Sequence, residues 1–236
     1  MKTLAIIPCF NEQESLPRLL DEVRTAGLEA VVVNDASTDD TEAVAVAQGV
    51  PVLSLPVNLG IGGAVQTGFL YALRHGYDIA VQLDGDGQHD PAQLDAVLGP
   101  IRSGEADCVI GSRYLPAAPD LGYRTPVVRR LGMHFSSWIL RQAAGLQIYD
   151  TTSGYRALNR RAFSYFARVY PVDHPEAEAL LMLHQAGLRI KEVPTRMRQR
   201  TSGQSLFSFF RSAVYPLRVV VGFAGILFKS TGRTYP

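Results

Sequence analysis

The stretch TLAIIPCFNEQESLPRLLDEVRTAGLEAVVVNDAS, residues 3–37, decides the fold class. It opens on an apolar run over 4–7 that Pro8 ends. Leu16, Leu19, Leu20 and Val23 then follow helical spacing, and Gly27 stops that helix. A second apolar run over 30–33 reads as a strand and runs out into Asn34-Asp35-Ala36-Ser37. Strand, helix and strand at this spacing predict a parallel pair with the helix crossing one face.

The pattern continues outward. Thr38 is the expected cap of a helix over 39–48, with acidic residues in its first turn and Gly49 behind it. Further strands are expected over 52–55, 79–83 and 108–110, and helices over 62–74 and 91–103, the last begun by Pro91. Such alternation is the signature of an α/β protein with a mostly parallel sheet flanked by helices. Its ligands bind beyond the carboxyl ends of the strands. The second half reads differently: helices over 127–144, 160–167 and 176–185, strands over 154–158 and 188–193, a polar loop over 201–204. An apolar segment over 206–228 follows, with Arg211 and Arg218 inside it.

A hydrophobic share of 47% against 19% charged residues excludes disorder and coiled coil for this 236-residue chain. Cys9 and Cys108 are too few for a disulfide framework or a zinc cluster, and read as small buried residues of a reducing compartment. No secretory signal is expected, and no stretch reaches about 18 uninterrupted apolar residues. The net charge of +1 hides a split. Residues 1–110 carry 5 basic and 16 acidic side chains, residues 111–236 carry 18 and 6. The two halves are therefore expected to do different jobs. Arginine supplies 20 of the 23 cations, which suits planar recognition of phosphate or carboxylate. Nucleic acid is not expected as a partner, because no exposed aromatics interleave with the basic residues in a known module pattern.

Three strand ends carry polar residues fit for a site: 8–12, 34–37 and 84–90. Asp84 and Asp86, spaced i, i+2 after an apolar strand, can place oxygens around a hard cation such as Mg²⁺ or Mn²⁺. The bland alternative is a solvated acidic turn, and Asp90 is expected to cap the helix at Pro91. Gly60-Ile61-Gly62-Gly63 fails as a dinucleotide fingerprint, since Val65 stands where a third glycine belongs and the turn follows the third strand. It reads as a tight loop before a helix. His89 reads as a hydrogen-bonding wall residue. Arg113, Arg129, Arg130, Arg156, Arg196, Arg198 and Arg200 read, as a set, as surrounding an anionic ligand.

Taken in order, these motifs resemble family 2 glycosyltransferases of the GT-A fold, in the branch of the dolichyl-phosphate-mannose synthases. The resemblance runs from Ile6 to about Leu206. It rests on Ile7-Pro8-Cys9-Phe10-Asn11-Glu12, Val33-Asn34-Asp35-Ala36-Ser37, Asn58-Leu59-Gly60-Ile61-Gly62 and Leu83-Asp84-Gly85-Asp86-Gly87-Gln88-His89. It continues in Gly111-Ser112-Arg113-Tyr114, Asp150-Thr151-Thr152-Ser153-Gly154-Tyr155-Arg156 and Glu192-Val193-Pro194. The resemblance implies a Rossmann-like GT-A domain over 1–205, with a nucleotide-sugar donor half over 1–112 and an acceptor half over 113–205. An apolar, basic helix over 206–236 would follow.

It further implies that Pro8, Phe10, Glu12, Val33, Asp35, Asp84 and Gly85 bind the nucleotide-sugar. Asp86 and Gln88 would hold Mg²⁺ or Mn²⁺ on the diphosphate. Arg113 with Arg129 or Arg130 would face the acceptor phosphate or the donor diphosphate, and Arg200 would close over the site. The implied activity is inverting, metal-dependent transfer of a sugar from a UDP- or GDP-sugar to a polyprenyl phosphate. The chain would then be cytoplasmic and peripheral at a membrane surface. Where dolichyl-phosphate-mannose synthases commonly carry a lysine after Gly-x-Ser, this chain has Leu206 after Gly203-Gln204-Ser205. No counterpart of the paired C-terminal transmembrane helices of some relatives is expected.

Two rival readings stay open. A sugar hydroxyl acceptor would need a carboxylate base, with Glu178 and Glu176 as candidates against an ordinary exposed helix face. A non-catalytic nucleotide-sugar-binding protein could share the fold. The 206–236 segment suits a membrane-interfacial helix or a core or dimer helix. Oligomeric state, nucleobase and sugar are not legible in the sequence.

Overall fold

A computed structural model of the chain describes residues 1–115, 127–171, 175–198 and Phe223, with the side chains of 127–129, 131, 175 and 176 excepted. The helix expected over 206–236 otherwise lies outside the described residues, as do the loop 201–204 and Arg200.

The first half builds β1 (Thr3–Cys9), α1 (Leu16–Thr25), β2 (Glu29–Asn34), α2 (Thr41–Ala47), β3 (Val52–Ser54), α3 (Gly60–Arg74) and β4 (Ile79–Gln82). A 3-10 turn at Pro91–Gln93 leads into α4 (Leu94–Arg102) and β5 (Cys108–Ser112). The second half supplies α5 (Val127–Ala144), β6 (Arg156–Asn159), α6 (Arg160–Arg168), α7 (Pro175–Gln185) and β7 (Ile190–Pro194). The seven strands form one sheet in the order β3-β2-β1-β4-β6-β5-β7. Only β6 runs against its neighbours.

β1 is buried at all seven positions, as a central strand covered on both faces must be. Its side chains alternate between two cores. Ala5, Ile7 and Cys9 pack with Leu16, Leu19, Leu20 and Val23 of α1 and Val97 and Leu98 of α4. Leu4 and Ile6 pack with Val65 and Phe69 of α3 and Phe163 and Phe166 of α6. Each such Leu, Ile or Phe contributes about 1.5–3 kcal/mol by leaving water. A third cluster joins Ile110, Leu140 of α5, Leu180 and Leu181 of α7, and Phe223.

Two local expectations need correction. α2 starts at Thr41, not 39, and Thr38 is not its cap. The Asp39 carboxylate instead accepts from the Thr41 amide and hydroxyl and from the Gln13 amide, so residues 38–40 are drawn into the loop facing β1. α3 begins at Gly60, two residues early, because the Asn58 side chain accepts from the Gly60 amide and opens the helix there.

Candidate active site

β1 feeds β2 on one side, while β4 lies on its other side, so strand order reverses between β1 and β4. A crevice opens at the carboxyl ends of the strands at such a point. The loops after β1, β2 and β4 meet there.

The first two loops are woven together. The Asp35 amide donates to the Cys9 carbonyl at 2.9 Å, and the Asn11 side-chain oxygen accepts from the Thr38 amide at 2.8 Å. The Glu12 amide donates to Thr41 Oγ1 at 2.8 Å. Asn11 and Ala36 sit at φ 59° and 57°, in the left-handed region. Backbone strain of this kind costs about 1–3 kcal/mol per residue and clusters at functional sites. Asp35 is nearly buried, and the Leu59 amide donates to its Oδ1 at 2.7 Å. Burial raises its pKa, against the pull of the Leu59 and Gly60 amides. Phe10 stays half-exposed beside it in sequence, and Pro8 is buried. Val33 has no exposed surface and packs with Leu4, Ile6 and Val65 in the core under α3. It therefore backs the crevice and does not line it, which corrects its expected role.

The acidic loop crosses the end of β1. Ser15 Oγ lies 2.8 Å from both Glu12 Oε2 and the Gly85 carbonyl oxygen, which ties α1 to the loop. A Cβ at Gly85 would stand 2.7 Å from Cys9 Sγ and 3.1 Å from the Pro8 carbonyl, so only glycine passes there. Gln82 Nε2 donates to Asp84 Oδ1 at 3.1 Å. The Asp84 amide donates to His89 Nδ1 at 3.0 Å. That leaves the proton of a neutral His89 on Nε2, 3.6 Å from Asp84 Oδ2. His89 is buried and stacks on Tyr155 at 5.0 Å, as a wall residue does. Asp86 Oδ1 accepts from the Gln88 amide, and Asp90 caps Ala92 as expected.

The second half reaches the same edge through the chain reversal at β6. Arg113, at the end of β5, donates from Nε and Nη2 to the two oxygens of Asp150, each at 2.7 Å. Its side chain is 4% exposed and that of Asp150 not at all. Glu192 of β7 accepts from the Tyr149 and Asp150 amides, both at 2.8 Å. Burial raises its pKa, only partly offset by those amides and Ser112. Arg156 is buried and donates to the Ser153 and Thr151 carbonyls. It shapes the loop through these backbone carbonyls. A Cβ at Gly154 would stand 2.9 Å from Asp84 Oδ2, so this loop touches the acidic one directly.

Arg130 and Arg196 are exposed, and Arg198 pairs with Glu22 and Asp90. Glu178 is half-buried on α7, while the side chains of Glu176 and Arg129 lie outside the described residues, as does Arg200. Asp150 and Glu192 had no role assigned from sequence. Their signal was scarcity: they are two of the six acids after residue 110, and both lie inside quoted motifs.

Among the described residues no group of three His, Cys, Asp or Glu side chains could hold a metal. The donors at the acidic loop are oxygens, on Asp84, Asp86 and the Gln88 side chain. That set fits a hard cation that takes one or two protein ligands and completes its shell from water and phosphate.

A family model described as Glycosyl transferase family 2 matches residues 4–166. The chain is 37% identical over 219 residues to an undecaprenyl-phosphate mannosyltransferase of Micrococcus luteus, covering 88% of each. It is 37% identical over 169 residues to a polyprenol monophosphomannose synthase of Mycolicibacterium smegmatis, covering 67% of this chain and 62% of that one. In fold it is similar to glucosyl-3-phosphoglycerate synthase of Mycobacterium tuberculosis, solved with Mn²⁺, UDP and phosphoglyceric acid. The TM-score is 0.71 at 20% identity, over 99% of this chain and 80% of that one. A sheet of this order with its acidic loop at the reversal point, matched by the family over β1 to α6, makes the chain a member of glycosyl transferase family 2 with the GT-A fold.

Proposed function

We propose that this enzyme moves a sugar from a nucleotide-sugar to a polyprenyl phosphate, with inversion at the anomeric carbon. The observation that carries the reading is the contact of two unlike loops at one sheet edge. The acidic loop 84–90 meets the Asp150–Gly154 loop that holds Arg113. The names of the two relatives at 37% identity support a lipid-phosphate acceptor.

In this reading Phe10, Glu12 and Asp35 hold the nucleoside, with Pro8 and Val33 behind them. Asp84 and the Gly85 backbone approach the ribose and diphosphate. Asp86 and Gln88 hold a divalent cation, Mg²⁺ or Mn²⁺, which when bound offsets the charge growing on the leaving diphosphate. Arg113, Arg129 and Arg130 orient the acceptor phosphate, and Arg200 closes over the site. Asp150 takes Nε and Nη2 of Arg113 and so fixes where that positive charge stands beside the acidic loop. A phosphate oxygen is already anionic and needs positioning more than deprotonation.

The acceptor is lipid-linked in this reading, so the enzyme works at a membrane surface, at its cytoplasmic face. No helix among the described residues is long and apolar enough to cross a membrane. Support for a peripheral encounter comes from α5, which exposes Arg130, Trp138 (58%) and Arg141 and has no acidic residue. Tryptophan and arginine suit the headgroup region.

The test is release of nucleoside diphosphate from a panel of UDP- and GDP-sugars with Mn²⁺ and a short polyprenyl phosphate. Release that requires both the cation and the lipid phosphate is the expected result. Release that proceeds equally with a sugar acceptor and no lipid phosphate would overturn it. No release from any donor with any acceptor would favour a binding protein.

A further inference from the structure

The segment after β7 does more than leave the sheet. Met197 forms an antiparallel bridge with His89, inside the acidic loop. The Arg198 amide donates to the Gln88 carbonyl at 2.8 Å, and the Gln88 side-chain amide returns to the Arg198 carbonyl at 3.4 Å. One residue pair over, the Gln93 side chain accepts from the Arg196 amide at 2.6 Å and donates to the Arg196 carbonyl at 2.9 Å. Within this strap the guanidinium of Arg198 reaches two elements at once. Arg198 Nη1 meets Glu22 Oε2 of α1 at 2.6 Å, and Nη2 meets Asp90 Oδ1 at 2.7 Å. All three side chains are two-thirds or more buried. The contacts span 176 and 108 residues of sequence.

We propose that Arg198 is a positioning residue for the cation-holding loop. It fixes 88–90 between α1 and the post-β7 strap, so that Asp86 and Gln88 are presented in one arrangement. Two carboxylates on different elements need the planar fork of arginine, and a lysine would serve one at a time. Groups that orient metal ligands from outside typically govern affinity by 10- to 100-fold. The inference rests on the reading of Asp86 and Gln88 as the cation site.

The test uses the full chain freed of metal. Mn²⁺ binding is followed by electron paramagnetic resonance, alone and with UDP, and amide hydrogen exchange is followed over residues 84–93. Arg198→Ala is expected to weaken Mn²⁺ binding about tenfold or more and to speed exchange at the Asp84 and Gln88 amides. Arg198→Lys should fall between it and wild type. Arg18→Ala removes another partner of Glu22 and should leave both readouts unchanged, which separates this role from general loss of a surface ion pair. Wild-type Mn²⁺ affinity and loop exchange in Arg198→Ala, whatever its melting temperature, would overturn the proposal. A wild-type protein with no Mn²⁺ binding that Asp86→Ala removes would instead overturn the cation reading beneath it.

Discussion

The two loops that meet at the sheet edge treat charge in opposite ways. In the acidic loop, Asp84 is about one-third exposed, and its nearest described partners are a side-chain amide and an imidazole. In the Asp150–Gly154 loop, Asp150 is buried and matched with Arg113, and Glu192 braces Asp150 from behind. One loop leaves carboxylate oxygen for something to be added, while the other is finished before a ligand arrives. The difference also revises the meaning of the charge split. Arg189, Lys191 and Arg198 of the basic half pair with Asp107, Glu105, Glu22 and Asp90 of the acidic half. Part of the asymmetry stitches the halves together and is not offered to ligands.

The sharpest way to break this comparison is to remove one charge from each side. Asp150→Asn leaves a buried guanidinium uncompensated and should cost about 3–5 kcal/mol of unfolding free energy in urea. Replacing both partners, Asp150→Asn with Arg113→Met, should recover much of that loss. Asp84→Asn should stay within about 1 kcal/mol, as exposed substitutions do. Equal losses on the two sides would end the distinction. Next in size is Asp86→Ala, which should slow cation-dependent release of nucleoside diphosphate by roughly 10²–10³-fold, the scale of one lost charge-stabilising contact. Its metal-free unfolding midpoint should match wild type.

Most of the half that carries the acidic loop was legible in the sequence, and little of the half that carries Arg113 was. Strands β1 to β5 are apolar runs bounded by Pro, Gly and helix signals, and Asp84–Asp90 sits where such a run must end. β6 is four residues long with Arg156 at its start, and its reversed direction comes from the path of the chain, not from local pattern. The partners of the arginines stayed hidden for a similar reason. Arg113 finds Asp150 37 residues away and Arg198 finds Glu22 176 residues away, distances at which spacing says nothing. The family resemblance implied that Val33 lines the pocket, yet strand alternation sends its side chain into the core.

A smaller effect separates the acid responses of two carboxylates. Burial alone would raise Asp107, but hydrogen bonds from Arg189 and Asn159 outweigh it, and its pKa is lowered. Its stabilisation is therefore full above the unfolded value of about 3.9 and lost as pH falls through the lower folded one. Burial raises Glu192, so its charged form costs stability at neutral pH, and that cost is relieved as pH falls through the raised folded value. Urea unfolding at stepped pH should show wild type gaining on Glu192→Gln between neutral pH and about 4.3. Wild type should lose ground to Asp107→Asn only below about 3.9. Parallel curves for the two variants would show that both carboxylates sit in equivalent surroundings.

The smallest expected change bears most on the acceptor. Glu178 of α7 is half-buried in the second half and is the candidate base if a sugar hydroxyl attacks. A phosphate nucleophile arrives deprotonated, so the acceptor side needs held arginines and no base. Glu178→Gln keeps the size of the side chain and removes its ability to take a proton. With a polyprenyl phosphate acceptor, kcat should stay within about tenfold of wild type, below the 10²–10⁴-fold contribution of a general base. A loss beyond about a hundredfold, with the unfolding midpoint unchanged, would assign the proton to Glu178. The finished network of Arg113 and Asp150 would then be scaffolding for a hydroxyl acceptor, not a seat for phosphate.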